Sequence, residues 1–145
     1  MLTGLDSNFR HKALNFLAKS QNAGHTLFVT WGLRDVDPDF TDGPHIYGWA
    51  FDFQFWDDEY KEDIISGNFD ANYFHFNRII RTYRLNDRRW AEVGPIGESC
   101  GLVWGRTLYI KGVFKKDDPC HFQIPGFWTL RERIHGVPNV AGYII

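Results

Sequence analysis

The sequence predicts an α+β fold in which a small antiparallel sheet is flanked by helices. Three observations support this class. Apolar residues recur at helical spacing near the N-terminus, residues 48–53 alternate between small or acidic and aromatic side chains, and residues 118–124 form a second β-prone run. A chain of 145 residues is expected to form one domain, residues 1–145, that buries roughly two-thirds of its unfolded surface.

The first predicted element is a helix that extends to about Ala23. Asp6 or Ser7 can cap its N-terminus, and Gly24 is placed to end it. An apolar stripe at helical spacing runs along one side and consists of Phe9, Ala13, Phe16 and Leu17. Residues 26–30 then predict a strand.

Further elements are predicted after the alternating segment. Short helices are expected at 57–67 and about 70–84, and a third at about 87–100. The segment from Trp104 to Gly112 predicts a strand or hairpin, and a short helix near 127–134 closes the fold.

Composition limits the function classes. The net charge of −2 argues against nucleic-acid binding, because phosphate recognition normally needs a basic surface. No apolar run approaches about 18 residues and no signal peptide is indicated, so we expect no membrane span and synthesis in the cytoplasm. Cys100 and Cys120 are the only cysteines, and we expect free thiols because disulfide-stapled domains are usually richer in cysteine.

His45 and Asp52 are the first candidates for chemistry. On a helix they would lie about 10.5 Å apart along the axis, too far to share one ion. On one regular strand their odd separation would point them to opposite faces. They meet only if the chain turns between them, and Gly48 can supply that turn because glycine tolerates unusual backbone angles. After the turn Asp52 shares one strand face with Gly48 and Ala50, while the other face carries Trp49, Phe51 and Phe53.

His121 is the third candidate and lies in the run 118–124. In an extended run His121 and Gln123 face one way and Cys120 faces the other, so Cys120 is not expected to be a ligand. Asp118 stands three residues before His121, where a general base would be useful. Asp117 is also available, although the spacing favours Asp118.

Together, His45, Asp52 and His121 would supply two imidazoles and one carboxylate. This is the ligand set of a catalytic zinc whose fourth position stays open for water. If Asp118 lies beside them, the four side chains predict a metal-dependent hydrolase.

These residues resemble the LAS zinc peptidases, the family of D-Ala-D-Ala carboxypeptidases and L-alanyl-D-glutamate endopeptidases that includes many bacteriophage endolysins. The family motif SxHxxGxAxD is similar to residues 43–52 at every position except the first, where Gly43 replaces serine. The second motif, an acidic residue three before a histidine and then Phe, is matched from Asp118 to Phe122. Residues 93–105 resemble the family's glycine-punctuated helix and GLxWG segment, and residues 28–34 its Gly-Tyr-Arg-like turn.

The resemblance implies a hedgehog/D-Ala-D-Ala peptidase-like fold with Zn²⁺ as cofactor. Asp118 would take a proton from the attacking water and deliver it to the leaving amine. Arg34 would stabilise charge on the attacked carbonyl or bind a substrate carboxylate. A surface arginine paired with Asp35 or Asp37 is the alternative interpretation.

The resemblance also implies a monomeric peptidase that acts on the peptidoglycan stem peptide. A phage-type endolysin with L-alanyl-D-glutamate endopeptidase activity is the favoured form, made in the cytoplasm without a signal peptide and released to the cell wall, by a holin-type route if it is a phage protein. A D-Ala-D-Ala carboxypeptidase or dipeptidase is one alternative. A non-catalytic binding domain stabilised by zinc is another.

Overall fold

The structure is a computed structural model that describes residues 4–31, 43–56 and 87–145. Within these ranges the chain forms an antiparallel sheet and four helices, which confirms the predicted α+β class. The helices are α1 Ser7–Asn22, α2 Trp90–Ser99, α3 Gly105–Ile110 and α4 Phe127–His135. The strands are β1 Leu27–Trp31, β2 Ala50–Phe55, β3 Val103–Trp104 and β4 His121–Gln123. In these ranges no helix has the length and hydropathy needed to cross a membrane.

The four strands form one sheet in the order β1-β2-β4-β3. This order makes β2 and β4 the two inner strands, and every neighbouring pair is antiparallel. Asp52 of β2 is directly opposite His121 of β4, and Ala50 is opposite Gln123. The sheet therefore places residues from distant parts of the sequence side by side.

Helix α1 follows the local pattern closely. The Asp6 carboxylate accepts hydrogen bonds from the backbone N–H groups of Asn8 and Phe9, so it satisfies donors that the helix itself leaves unpaired. Gly24 follows the helix with a φ of 95°. Phe9, Ala13 and Phe16 are fully buried, as the apolar stripe predicts.

An aromatic core lies between α1, α2 and the sheet. Phe16 of α1 packs against Phe122 of β4 with ring centroids 4.6 Å apart, and Phe53 of β2 lies 5.3 Å from Trp90 of α2. A methyl group added at Gly97 would collide with the Phe122 ring. The glycines of α2 therefore let this helix approach the sheet closely.

One predicted element is wrong. The segment from Trp104 to Gly112 is not a strand or hairpin, because the chain leaves β3 at Trp104 and continues as helix α3. Its β-branched and aromatic residues favour a strand locally, yet the buried positions are Gly105 and Leu108, three residues apart, as on a helix. Packing therefore decides the structure of this segment.

The predicted helices near 87–100 and 127–134 are present as α2 and α4, although α2 begins only at Trp90. The predicted helices at 57–67 and 70–84 lie outside the described residues. The assignment of residues 1–145 to one domain stays a prediction.

Candidate metal centre

The chain turns between His45 and Asp52, as the spacing requires. Two backbone hydrogen bonds close this turn, from Gly48 N to His45 O at 3.2 Å and from Trp49 N to Pro44 O at 2.9 Å. Gly48 has a φ of 73°, a conformation that residues with a side chain rarely adopt. The predicted bend at Gly48 is thus confirmed.

The N-terminal end of α1 holds this turn in place. The backbone N–H of Asp6 donates to the carbonyl of Gly48 at 3.0 Å. A methyl group at Gly48 would lie 2.6 Å from the carbonyl oxygen of Gly4, so a side chain would displace the backbone as well as strain it. Gly48 is therefore required by its conformation and by its packing.

An aromatic cluster packs against the same turn. Tyr47 stacks on His135 with ring centroids 4.2 Å apart, and Trp49 makes an edge contact with Phe127 at 6.2 Å. Phe127 and His135 begin and end helix α4. Helix α4 therefore supports the segment that carries His45.

The structure brings His45, Asp52 and His121 together. Oδ1 of Asp52 lies 3.2 Å from Nδ1 of His121 and 3.4 Å from Nε2 of His45. Ligand atoms from the three residues lie within 4.8 Å of one another, and each residue is at most 4% exposed. Three side chains separated by up to 76 positions thus form one buried cluster that could hold a metal ion.

The donor set and the two distances from Asp52 are compatible with a metal ion such as zinc. Two imidazole nitrogens and one carboxylate oxygen are the donors of many catalytic zinc sites. Tetrahedral zinc with bonds of about 2.05 Å separates neighbouring ligand atoms by about 3.4 Å. The two distances from Asp52 Oδ1, 3.2 and 3.4 Å, match this separation.

Asp118 is held next to the cluster by a tight turn. Its carbonyl accepts a hydrogen bond from the backbone N–H of His121 at 3.2 Å, and Cys120 Sγ lies 3.3 Å from its Oδ1. The carboxylate is close enough for its charge to act on His121. Cys120 itself is buried in the hydrophobic core and lies outside the ligand cluster, as predicted.

Gly105 makes the position of this turn possible. A methyl group at Gly105 would collide with the carbonyl oxygen of Asp118 and lie 3.1 Å from Cβ of His121. Gly105 is the last residue of the GLxWG segment, so the structure gives that motif a physical role. It allows α3 to begin directly against the turn that carries Asp118 and His121.

Asp117 has a different environment from Asp118. Its carboxylate pairs with the guanidinium of Arg106, with Oδ2 3.1 Å from Nη2 and 3.2 Å from Nε. Both side chains are about a quarter exposed. The Asp117 carboxylate is therefore engaged by Arg106, and Asp118 is the carboxylate whose charge acts on His121. The catalytic role of Asp118 stays a prediction.

The environment of His121 changes its pKa in two directions. Burial lowers the pKa, whereas the hydrogen bond and charge of Asp52, the charge of Asp118 and the hydrogen bond to Gln123 raise it. The net result is a pKa above the usual 6.5. A metal ion at this site would therefore compete with a proton for Nδ1 of His121.

Two buried glutamines, Gln54 and Gln123, lie on the same sheet face as Asp52 and His121, and the sequence did not identify a contact between either of them and the cluster. Gln123 Oε1 lies 2.9 Å from Nε2 of His121. Gln54 lies two residues after Asp52 and is 2% exposed. The alternation of strand residues gives their shared face, but the contact between Gln123 and His121 needs the actual side-chain positions.

Arg34, together with Asp35 and Asp37, lies outside the described residues, so its role stays a prediction. Neither a comparison with models of known protein families nor a search of curated proteins finds a match for this chain. A functional assignment therefore depends on the geometry of the cluster and on the motifs in the sequence.

Proposed function

We propose that this protein is a zinc-dependent peptidoglycan peptidase with a hedgehog/D-Ala-D-Ala peptidase-like fold. The favoured form is a phage-type L-alanyl-D-glutamate endopeptidase. The observation that carries the proposal is the buried convergence of His45, Asp52 and His121 at distances suited to zinc, with Asp118 held beside them.

His45, Asp52 and His121 would hold the zinc ion, which would supply an activated water molecule and polarise the attacked carbonyl. Asp118 is proposed to accept the proton of the attacking water and to donate it to the leaving amine. The turn hydrogen bond to His121 fixes the backbone of Asp118, and the Cys120 thiol is only a weak donor to its carboxylate.

The substrate class rests on the sequence motifs. The match to SxHxxGxAxD, the Asp118–Phe122 motif and the GLxWG segment together support a stem-peptide substrate. Arg34 is proposed to bind a carboxylate of that peptide or to stabilise charge on the attacked carbonyl. The enzyme is proposed to act as a monomer on the cell wall after release from the cytoplasm.

The bond that is cut can be identified by mass spectrometry of muropeptides after digestion of purified peptidoglycan. We expect the zinc-loaded wild type to produce new D-glutamate amino termini. Loss of one terminal D-alanine would instead identify a D-Ala-D-Ala carboxypeptidase, and hydrolysis of free D-Ala-D-Ala alone would identify a dipeptidase.

Asp118→Asn tests the general base in the same digestion. We expect cleavage to fall by about 100-fold or more while zinc binding is retained. Asp117→Asn is the matched control, because it removes a neighbouring carboxylate that pairs with Arg106. It should retain most of the activity. Unchanged cleavage by Asp118→Asn, or equal losses in both variants, would contradict the assignment.

A zinc-stabilised binding domain without catalysis is the second candidate. The burial of all three ligand residues favours it, because burial limits the access of a peptide substrate to an ion held there. In that case the wild type would bind zinc stoichiometrically and release no new amino groups from peptidoglycan.

A further inference from the structure

Gln123 binds the ring nitrogen of His121 that faces away from the ligand cluster. Nε2 of His121 lies 2.9 Å from Oε1 of Gln123, while Nδ1 of the same ring lies 3.2 Å from Oδ1 of Asp52. Gln123 has no exposed surface and His121 is 4% exposed. Each ring nitrogen therefore has one fixed partner in a region from which water is largely excluded.

The sheet fixes Gln123 as firmly as it fixes His121. Strand β4 lies between β2 and β3, and Gln123 is paired with Ala50 on one side and with Val103 on the other. Residues two apart on a strand share one face, so the Gln123 side chain lies beside the His121 ring. The contact does not depend on a loop or on an exposed side chain.

The chemistry of a carboxamide oxygen selects one form of the imidazole ring. The oxygen can only accept a hydrogen bond, so Nε2 of His121 must carry the hydrogen. A neutral ring with its hydrogen on Nε2 has its lone pair on Nδ1, which faces Asp52. Metal ligation requires that lone pair. The opposite tautomer would place a hydrogen where the ion binds.

We propose that Gln123 is a positioning residue that fixes the tautomer and orientation of His121, so that Nδ1 binds the metal. Ligand histidines usually donate their second N–H to a carboxylate or carbonyl oxygen, and loss of such a partner weakens metal binding. This inference rests on the zinc site of the proposed function but not on the bond that is cleaved.

Gln54 offers a matched control within the same face of the sheet. It is the same residue type, is similarly buried, and lies on the strand that carries Asp52. In the described ranges neither polar atom of its side chain has a hydrogen-bond partner. A substitution at Gln54 therefore tests the effect of changing a buried glutamine without removing a partner of His121.

The test measures zinc affinity by competition with a chromogenic chelator for the wild type, Gln123→Leu, Gln123→Glu and Gln54→Leu. We expect Gln123→Leu to raise the zinc dissociation constant about 10- to 100-fold. Gln123→Glu should restore affinity to within about fivefold of the wild type, because a carboxylate also accepts from Nε2–H, and Gln54→Leu should change it by less than about twofold. Circular dichroism of the metal-free proteins checks folding, and Gln123→Met replaces Gln123→Leu if that variant does not fold.

Cobalt substitution gives a second readout that a general loss of stability would not change. We expect the visible absorption of the Co²⁺-loaded protein to be altered by Gln123→Leu and unaltered by Gln54→Leu. Unchanged zinc affinity and spectra in Gln123→Leu would overturn the inference, and so would equal losses in the two leucine variants.

The same measurements separate this inference from the proposed function. A wild type whose zinc affinity depends on Gln123 but that cleaves nothing would contradict only the proposed function. A wild type that cleaves peptidoglycan, with zinc affinity insensitive to Gln123→Leu, would contradict only the role of Gln123. A wild type that binds no zinc would overturn both.

Discussion

The two faces of the inner strands β2 and β4 are both buried, yet their side chains differ in what they contact. On one face the rings of Phe53 and Phe122 stack at 5.4 Å and pack against α1 and α2. The opposite face carries a carboxylate, an imidazole and two carboxamides. In the described ranges, three of the four polar atoms of the two carboxamides have no hydrogen-bond partner.

This difference separates the face that stabilises the fold from the face that carries the candidate metal centre. Burial of aromatic rings is favourable by itself. A buried polar atom without a partner costs about 1–3 kcal/mol, so the polar face lowers stability unless something binds there. We infer that the aromatic face supports the polar one, and that a metal ion offsets part of the cost of burying His45, Asp52 and His121.

The largest effect is expected from Phe122→Ala on the aromatic face. Removing a buried phenylalanine ring should lower the free energy of unfolding by about 3–5 kcal/mol, because it leaves a cavity between α1 and the sheet. Denaturant titrations with and without zinc measure this loss, which should be the same in both conditions.

The neighbouring His121→Ala, on the polar face, should instead abolish the zinc-dependent part of the stability. The comparison fails if Phe122→Ala alone removes the response to zinc.

Zinc itself should stabilise the protein through the polar face. At a free zinc concentration of 1,000 times the dissociation constant, binding to the folded state alone adds about 4 kcal/mol. Thermal unfolding of the wild type should therefore shift upward with zinc and return on chelation. His45→Ala and Asp52→Ala should show no such shift. A shift retained in both variants would place the binding site elsewhere.

Gly105→Ala tests the contact that joins α3 to the site. The added methyl group would collide with the carbonyl of Asp118, so we expect a loss of about 1–3 kcal/mol in unfolding free energy together with weaker zinc binding. Gly126→Ala is the control. The φ of 68° at this position strains an alanine, but the added methyl group meets no atom within 4 Å. It should leave zinc affinity unchanged. Wild-type zinc affinity in Gly105→Ala would contradict the role of this contact.

The smallest effect concerns pH in the metal-free protein. The pKa of His121 is raised above 6.5 in the folded state, so its protonation contributes stability below pH 6.5. That contribution is lost as the pH rises through the folded-state pKa. The unfolding free energy of the metal-free wild type should thus fall above pH 6.5 by more than that of His121→Gln. Parallel pH profiles for the two proteins would contradict this assignment.

Local patterns predicted the parts of the fold that depend on neighbouring residues. Helix α1 has its cap at Asp6 and a buried stripe at helical spacing. Both features depend only on residues within the helix or directly before it. The bend at Gly48 followed from the odd separation of His45 and Asp52. Each of these features could be predicted from residues that lie close together in the sequence.

Contacts between distant segments could not be predicted in the same way. The helical state of α3 depends on packing against residues far along the chain, which overrides its strand-like composition. The pairing of Asp117 with Arg106 and the contact of Gln123 with His121 depend on side-chain positions within the fold. Strand alternation placed Gln123 on the correct face, but its hydrogen bond required the structure.

The most direct test of the central claim is anomalous diffraction at the zinc absorption edge from crystals of the zinc-loaded protein. We expect one anomalous peak within about 2.0–2.2 Å of Nε2 of His45, a carboxylate oxygen of Asp52 and Nδ1 of His121. The absence of a peak between these three residues, or a zinc ion bound only at other residues, would contradict the proposed metal centre.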